Sequence, residues 1–204
     1  MLTSVAPVTD TTQGASAHEQ ILARHKTIPN EIRDEILKAL SFYPEFGNTE
    51  IDFVFSSALK SSLMQAQPKA RTLLRRKHRR GYIIRISRYF HLSQTHVPIE
   101  TLPKEVLIGW LGHELGHVLD YCNRGRWRMA TFGAGYAFSK KYVKRAERTA
   151  DTFAVQRGLL PYILATKNFI LGHADLPVAY KQKIRRLYMS PDDVMTLVEK
   201  TTSK

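Results

Sequence analysis

The chain is poor in cysteine: Cys122 is the only one in 204 residues. No intramolecular disulfide can form, so packing alone must hold the fold, which accords with a reducing compartment. Cys122 reads as a small packing residue, since nothing around it marks a ligand or nucleophile. Long apolar runs are missing too. Nothing approaches the roughly 18–20 apolar residues that span a bilayer, and no basic stretch followed by an apolar segment marks a secretion signal. These absences argue against an integral-membrane protein and predict a cytoplasmic location. Acidic residues are scarce, 18 Asp and Glu against 31 Lys and Arg, which leaves a net charge of +13. A field of that sign attracts polyanions: nucleic acid or an anionic membrane surface.

What is present suffices for a packed domain. Hydrophobic residues make up 43% and charged residues 24%, a balance that sustains a core and argues against global disorder. Residues 1–17, rich in Thr, Ser and Ala, read as a flexible arm. The remainder, 18–204, reads as one domain with a cleft between about 18–120 and 121–204. Ile32, Ile36, Leu37 and Leu40 form the stripe of a helix from Pro29 to Phe42. Ile51 to Phe55 alternates as a strand, and Tyr82 to Tyr89 gives the strongest strand signal. The stretch from Ala58 to Ala70 is ambiguous. Later come a helix, or a loop and helix, between Met129 and Gly158, a basic helix from Leu176 to Tyr188, and a last helix to about Glu199 capped by Ser190.

The stretch that organises the chain is Trp110 to Tyr121, WLGHELGHVLDY. It contains His113-Glu114-Leu115-Gly116-His117, an H-E-x-x-H pattern. Thr101 as N-cap, Pro103 in the first turn and Glu105 near the helix start mark the segment as helical. Val106, Leu107, Trp110, Leu111, Leu115, Val118 and Leu119 would bury it. On a helix, residues four apart share a face, so His113 and His117 can offer two imidazoles to one metal ion. Glu114 sits where it can take a proton from a water on that ion. The plainer alternative, a core helix with two satisfied histidines, makes an expensive core without a metal.

A catalytic zinc site needs a third protein ligand. Glu147 lies thirty residues after His117, in RAERTADTFAV, and Asp151 follows one turn later. Glu147 can ligate, and Asp151 can accept the free ring N–H of a ligand histidine and fix its tautomer. Ala146, Ala150 and Ala154 are small enough to bring the two helices close. Taken without the upstream motif, Glu147 and Asp151 would read as a solvated acidic pair among Lys144, Arg145 and Arg148.

H-E-x-x-H followed by E-x-x-x-D resembles the gluzincin clan of zinc metallopeptidases, and within it the minigluzincins, soluble relatives of the CAAX-type and heat-shock membrane peptidases. The resemblance covers the two motif helices and, more weakly, the element order from about residue 50 to 160. It implies an α+β, zincin-like fold: a small N-terminal mixed sheet with the motif helix, then a mainly helical C-terminal part carrying the glutamate helix. It implies Zn²⁺ held by His113, His117 and Glu147, Glu114 as general base, Asp151 as partner of a ligand histidine, and a peptide or protein substrate. In zincins the strand before the motif helix rims the cleft and can add a substrate strand; that role is assigned to Tyr82–Tyr89. The oxyanion donor is assigned to His173, the only histidine after Glu147, in the loop LGHAD, with Tyr136, Tyr180 and Tyr188 as rivals. The N-terminal arm or the C-terminal helices could cover the cleft.

The positive charge is clustered: Arg71, Arg75, Arg76, Lys77, Arg79 and Arg80; Arg124, Arg126 and Arg128; Lys140, Lys141, Lys144, Arg145 and Arg148; Lys181, Lys183, Arg185 and Arg186. Tyr82, Trp127 and Tyr142 lie among these cations and could stack on bases. The competing function is therefore a basic nucleic-acid- or membrane-associated protein in which the zinc site serves structure or regulation. A solvated basic surface accounts for the same charge.

Overall fold

A computed structural model describes residues 16–59, 62–73, 75–76, 79–93, 95–125, 139–173 and 175–202. All but the last two residues of the expected arm, as well as Trp127 and Tyr136, lie outside the described residues. The architecture is α+β, a small mixed sheet within a mainly helical chain.

Ala17, placed in the arm by composition, instead opens α1 (Ala17–Ala23). Ser16 and Glu19 form a reciprocal capping box there, satisfying two backbone donors. The short strand β1 (Lys26–Thr27) and a 3₁₀ turn (Asn30–Ile32) lead into α2 (Arg33–Ser41), which buries Ile36, Leu37 and Leu40. The strands β2 (Ile51–Phe55), β3 (Met64–Pro68) and β4 (Tyr82–Ile86) follow, and the sheet order is β1-β2-β4-β3. β1, β2 and β4 run parallel; β3 is antiparallel to β4, with Ala66 opposite Ile84.

This order corrects the assignment of the rim strand. Tyr82–Ile86 is interior, paired on both sides and buried at Tyr82, Ile84 and Ile86. The chain from Tyr89 on leaves the sheet and forms β5 (Tyr89–His91), paired only with β6 (His96–Pro98). The sheet edge facing the motif helix is β3, from the ambiguous stretch. Lys69 N–H donates to Gly81 and Ser87 N–H to Leu63. That register turns Gln65 and Gln67 toward β4 and leaves the backbone of Met64 and Ala66 outward.

The motif helix α3 (Lys104–Asn123) is the centre of the fold. Every residue from Val106 to Tyr121 is buried. A helix enclosed on all sides needs partners all round: α2, β3, and the next two helices, α4 (Lys140–Ala154) and α5 (Leu160–Gly172), supply them. Thr101 is not its N-cap. The helix begins after Pro103, while the Thr101 hydroxyl closes a preceding 3₁₀ turn on the Pro98 carbonyl. α4 is capped by Ser139 and buries Ala146, Glu147, Ala150, Asp151 and Ala154. Gly158, at φ 91°, makes the turn from α4 into α5 that few other residues could adopt. The helices α6 (Val178–Leu187) and α7 (Pro191–Thr202) complete the chain, α7 capped by Ser190 through the Asp193 amide.

Gly116 sets the distance between α3 and α4. A methyl group there would lie 2.5 Å from the Ala150 carbonyl oxygen, so this glycine and Ala150 let the backbones meet. Gly116→Ala is expected to lower the stability of the metal-free protein by about 1–3 kcal/mol, the usual cost of overpacking. The control is Gly125→Ala, where nothing lies within 4 Å; it should change stability by less than about 0.5 kcal/mol. Urea denaturation midpoints check both, and equal midpoints would contradict the close approach.

Candidate metal centre

The motif register places His113 and His117 one turn apart on the face of α3 that meets α4. From α4, Glu147 projects between them. Its Oε2 lies 3.1 Å from His113 Nε2 and 3.3 Å from His117 Nε2. Ligand atoms of these three residues fall within 4.8 Å of one another, and all three residues are buried. Ligands of a tetrahedral ion with bonds of about 2.0–2.1 Å stand roughly 3.3 Å apart. The donor set and its spacing therefore fit one metal ion, held by two imidazole nitrogens and a carboxylate oxygen.

Asp151, one turn after Glu147, accepts from His113 Nδ1 at 2.9 Å. In the neutral ring that a metal requires, this bond keeps the proton on Nδ1 and turns the Nε2 lone pair toward the centre. Its other oxygen, Oδ2, takes the Lys167 ammonium at 2.8 Å and the Met189 amide at 3.3 Å. Lys167 was not foreseen, though its signal is plain in retrospect: a lone lysine in the apolar run LPYILATKNFILG, 95% buried. Such a cation needs an internal counterion.

Glu114 lies outside the ligand set. Its Oε2 accepts the Ala66 amide of β3 at 2.6 Å, and the Ala66 carbonyl accepts from the Tyr121 hydroxyl at 3.3 Å. The edge strand is thus pinned to α3 by both of its outward backbone groups at that residue. Burial pushes the Glu114 carboxyl above its usual range, against the pull of the two imidazoles. Burial likewise opposes charge on Glu147, but His117 and His113 override it and hold that carboxyl well below its usual range.

Glu114 and His113 line a cavity of about 40 Å³, closed on its far side by Tyr180, Lys183, Ile184 and Tyr188 of the α6 region. Burial and the neighbouring Glu114 and Glu147 carboxylates push the Tyr180 phenol up, so it stays protonated. The Tyr188 ring sits 5.4 Å from that of His113. The structure does not bring His173 to this lining. Its ring packs against Phe90 and Phe169, with Nδ1 buried and without a hydrogen-bond partner. Tyr82 is also away from solvent, fully buried against Tyr121.

Comparison with protein-family models, with curated proteins and with solved structures returns no match. The chemistry of the site rests on its geometry.

In the metal-free protein burial opposes a charge on His113, but Asp151 and Glu147 outweigh it and raise its pKa from 6.5 to about 10. With the folded value above the unfolded one, the imidazolium stabilises the metal-free fold fully below about pH 6.5, and this is lost as pH rises through about 10. A metal requires the neutral ring. Loading a divalent ion at pH 8 should therefore release about one proton per chain. Calorimetric titration in buffers of different ionisation enthalpy measures this directly, and a heat independent of buffer would contradict the assigned cluster.

Proposed function

We propose that this chain is a zinc-dependent endopeptidase of zincin-like fold, acting from the cavity between α3, β3 and α6. The observation that carries the reading is the convergence of His113, His117 and Glu147 with a fourth acid, Glu114, beside them but outside the ligand set. His113, His117 and Glu147 would hold a zinc ion with fewer protein ligands than the four of a structural site, as catalytic sites do. When bound, zinc supplies Lewis acidity, polarising a carbonyl and bringing a water toward ionisation near neutral pH.

The remaining work falls to the protein's own groups. Glu114 takes a proton from the attacking water and delivers it to the leaving amine, a task suited to a carboxyl raised toward neutrality. The Ala66 amide aims that carboxylate. Asp151 holds His113 in the ligating tautomer. Tyr180, protonated and in the lining, takes the role of oxyanion donor in place of His173. The substrate backbone pairs with the outward groups of Met64 on β3 rather than with Tyr82–Tyr89, because β3 is the edge and Ala66 is already engaged by α3. A cavity of about 40 Å³ admits an ion and a few waters.

The alternative, a basic protein with a structural zinc, is disfavoured by the donor set. Structural zinc sites are closed by four protein ligands, and three converge here among the described residues. Glu114→Gln keeps the shape of the site and removes the base. It should bind zinc as the parent does and lose about 10²–10⁴-fold in kcat on a quenched-fluorescent peptide library. Undiminished hydrolysis with zinc retained would remove Glu114 from the mechanism.

A further inference from the structure

The second face of α4 is unlike the first. Lys141, Lys144, Arg145 and Arg148 recur at helical spacing on its outer side. Like charges three and four residues apart weaken a helix, and the acids of α4, Glu147 and Asp151, both turn inward. Arg148 meets Asp193 at 3.2 Å, whereas Lys141, Lys144 and Arg145 form no ion pair among the described residues. With Thr149, Thr152, Phe153 and Gln156 these cations line one side of an open, shallow groove.

A second basic surface lies on the loop between β3 and β4. Arg75, Arg76 and Arg79 line a hollow of about 720 Å³. Arg80 of the same loop donates to the Arg124 carbonyl at 2.9 Å, and Arg124 in turn donates to the Tyr142 hydroxyl of α4 at 3.4 Å. Through Arg124 the arginine loop is thus tied to Tyr142 of α4.

The contents of the groove choose among polyanions. A row of cations complements a phosphate backbone, and Phe153, partly buried against the core, offers its remaining ring surface to a base. Gln156 can hydrogen-bond base edges. A membrane surface would call for protruding apolar residues beside the cations. Among the described residues none of the exposed large hydrophobics lies on α4, and one, Leu73, stands in the arginine loop. We propose that the outer face of α4 is a docking groove for single-stranded nucleic acid, on the side of the helix opposite Glu147. It leaves the metal centre free and does not depend on the peptidase reading.

The test is fluorescence anisotropy with labelled oligothymidine of about 20 nucleotides, longer than a typical single-strand site of roughly 4–16. The groove variant is Lys141→Glu with Lys144→Glu and Arg145→Glu. The charge-matched control is Arg24→Glu with Arg185→Glu and Arg186→Glu, all exposed and off α4. The groove variant should bind about 10- to 100-fold more weakly, with the slope of log K against log salt reduced by about 2, three contacts at roughly 0.7 each. The control should stay within a few-fold of the parent. Thermal melts by circular dichroism verify folding, and Phe153→Leu should weaken oligothymidine by about 5- to 100-fold per stacked base while sparing an abasic strand of equal length. Equal losses in groove and control variants would overturn the proposal. So would binding to phosphatidylserine vesicles through these residues without binding to oligothymidine.

Discussion

Three carboxylates, Glu114, Glu147 and Asp151, are buried within one site. Buried charge left uncompensated is the most expensive arrangement a protein interior can hold, and much of this fold is arranged around it. Lys167 reaches in from α5 to Asp151, and the two imidazoles of α3 face Glu147. With neutral imidazoles and a divalent ion, the formal charges of the three acids, Lys167 and the metal sum to zero. Without the ion, a proton on His113 offsets part of the negative charge, which is why its pKa rises so far despite complete burial. Metal and proton are thus alternative occupants of one electrostatic role.

That compensation requires close helix packing. Gly116 sits between the two histidines in sequence and lets α4 approach until Glu147 reaches both rings. Ala146, Ala150 and Ala154 do the same from the other side. The face of α4 that meets α3 is small and acidic, whereas the opposite face is large and cationic. One helix therefore separates a buried anionic centre from a solvent-facing positive surface.

What was legible in the sequence was local. The pairing of His113 with His117 and of Glu147 with Asp151 on single helix faces follows from a four-residue repeat, whereas the meeting of the two pairs depends on the close packing at Gly116. The strands Ile51–Phe55 and Tyr82–Ile86 were legible because β-branched and aromatic residues alternate there. The edge strand was not: MQAQP holds no β-branched residue, and a strand's place at the edge depends on a crossover that brings β2 beside β4. His173 was chosen for residue type in a loop whose path sequence does not reveal; the chain carries Tyr180 to the cavity instead. Thr101 was a plausible cap one 3₁₀ turn too early, a shift that local propensity does not resolve.

Metal content tests the account at its centre. Purified wild-type protein and Glu147→Ala should be equilibrated with zinc against a chromophoric chelator, and the retained metal measured by plasma mass spectrometry. Three convergent ligands predict one zinc per chain in the wild type and its loss, or a large drop in affinity, in the variant. A wild type that takes up no zinc, or a variant that holds it as tightly, would contradict the three-ligand centre on which the charge balance and the proposed chemistry depend.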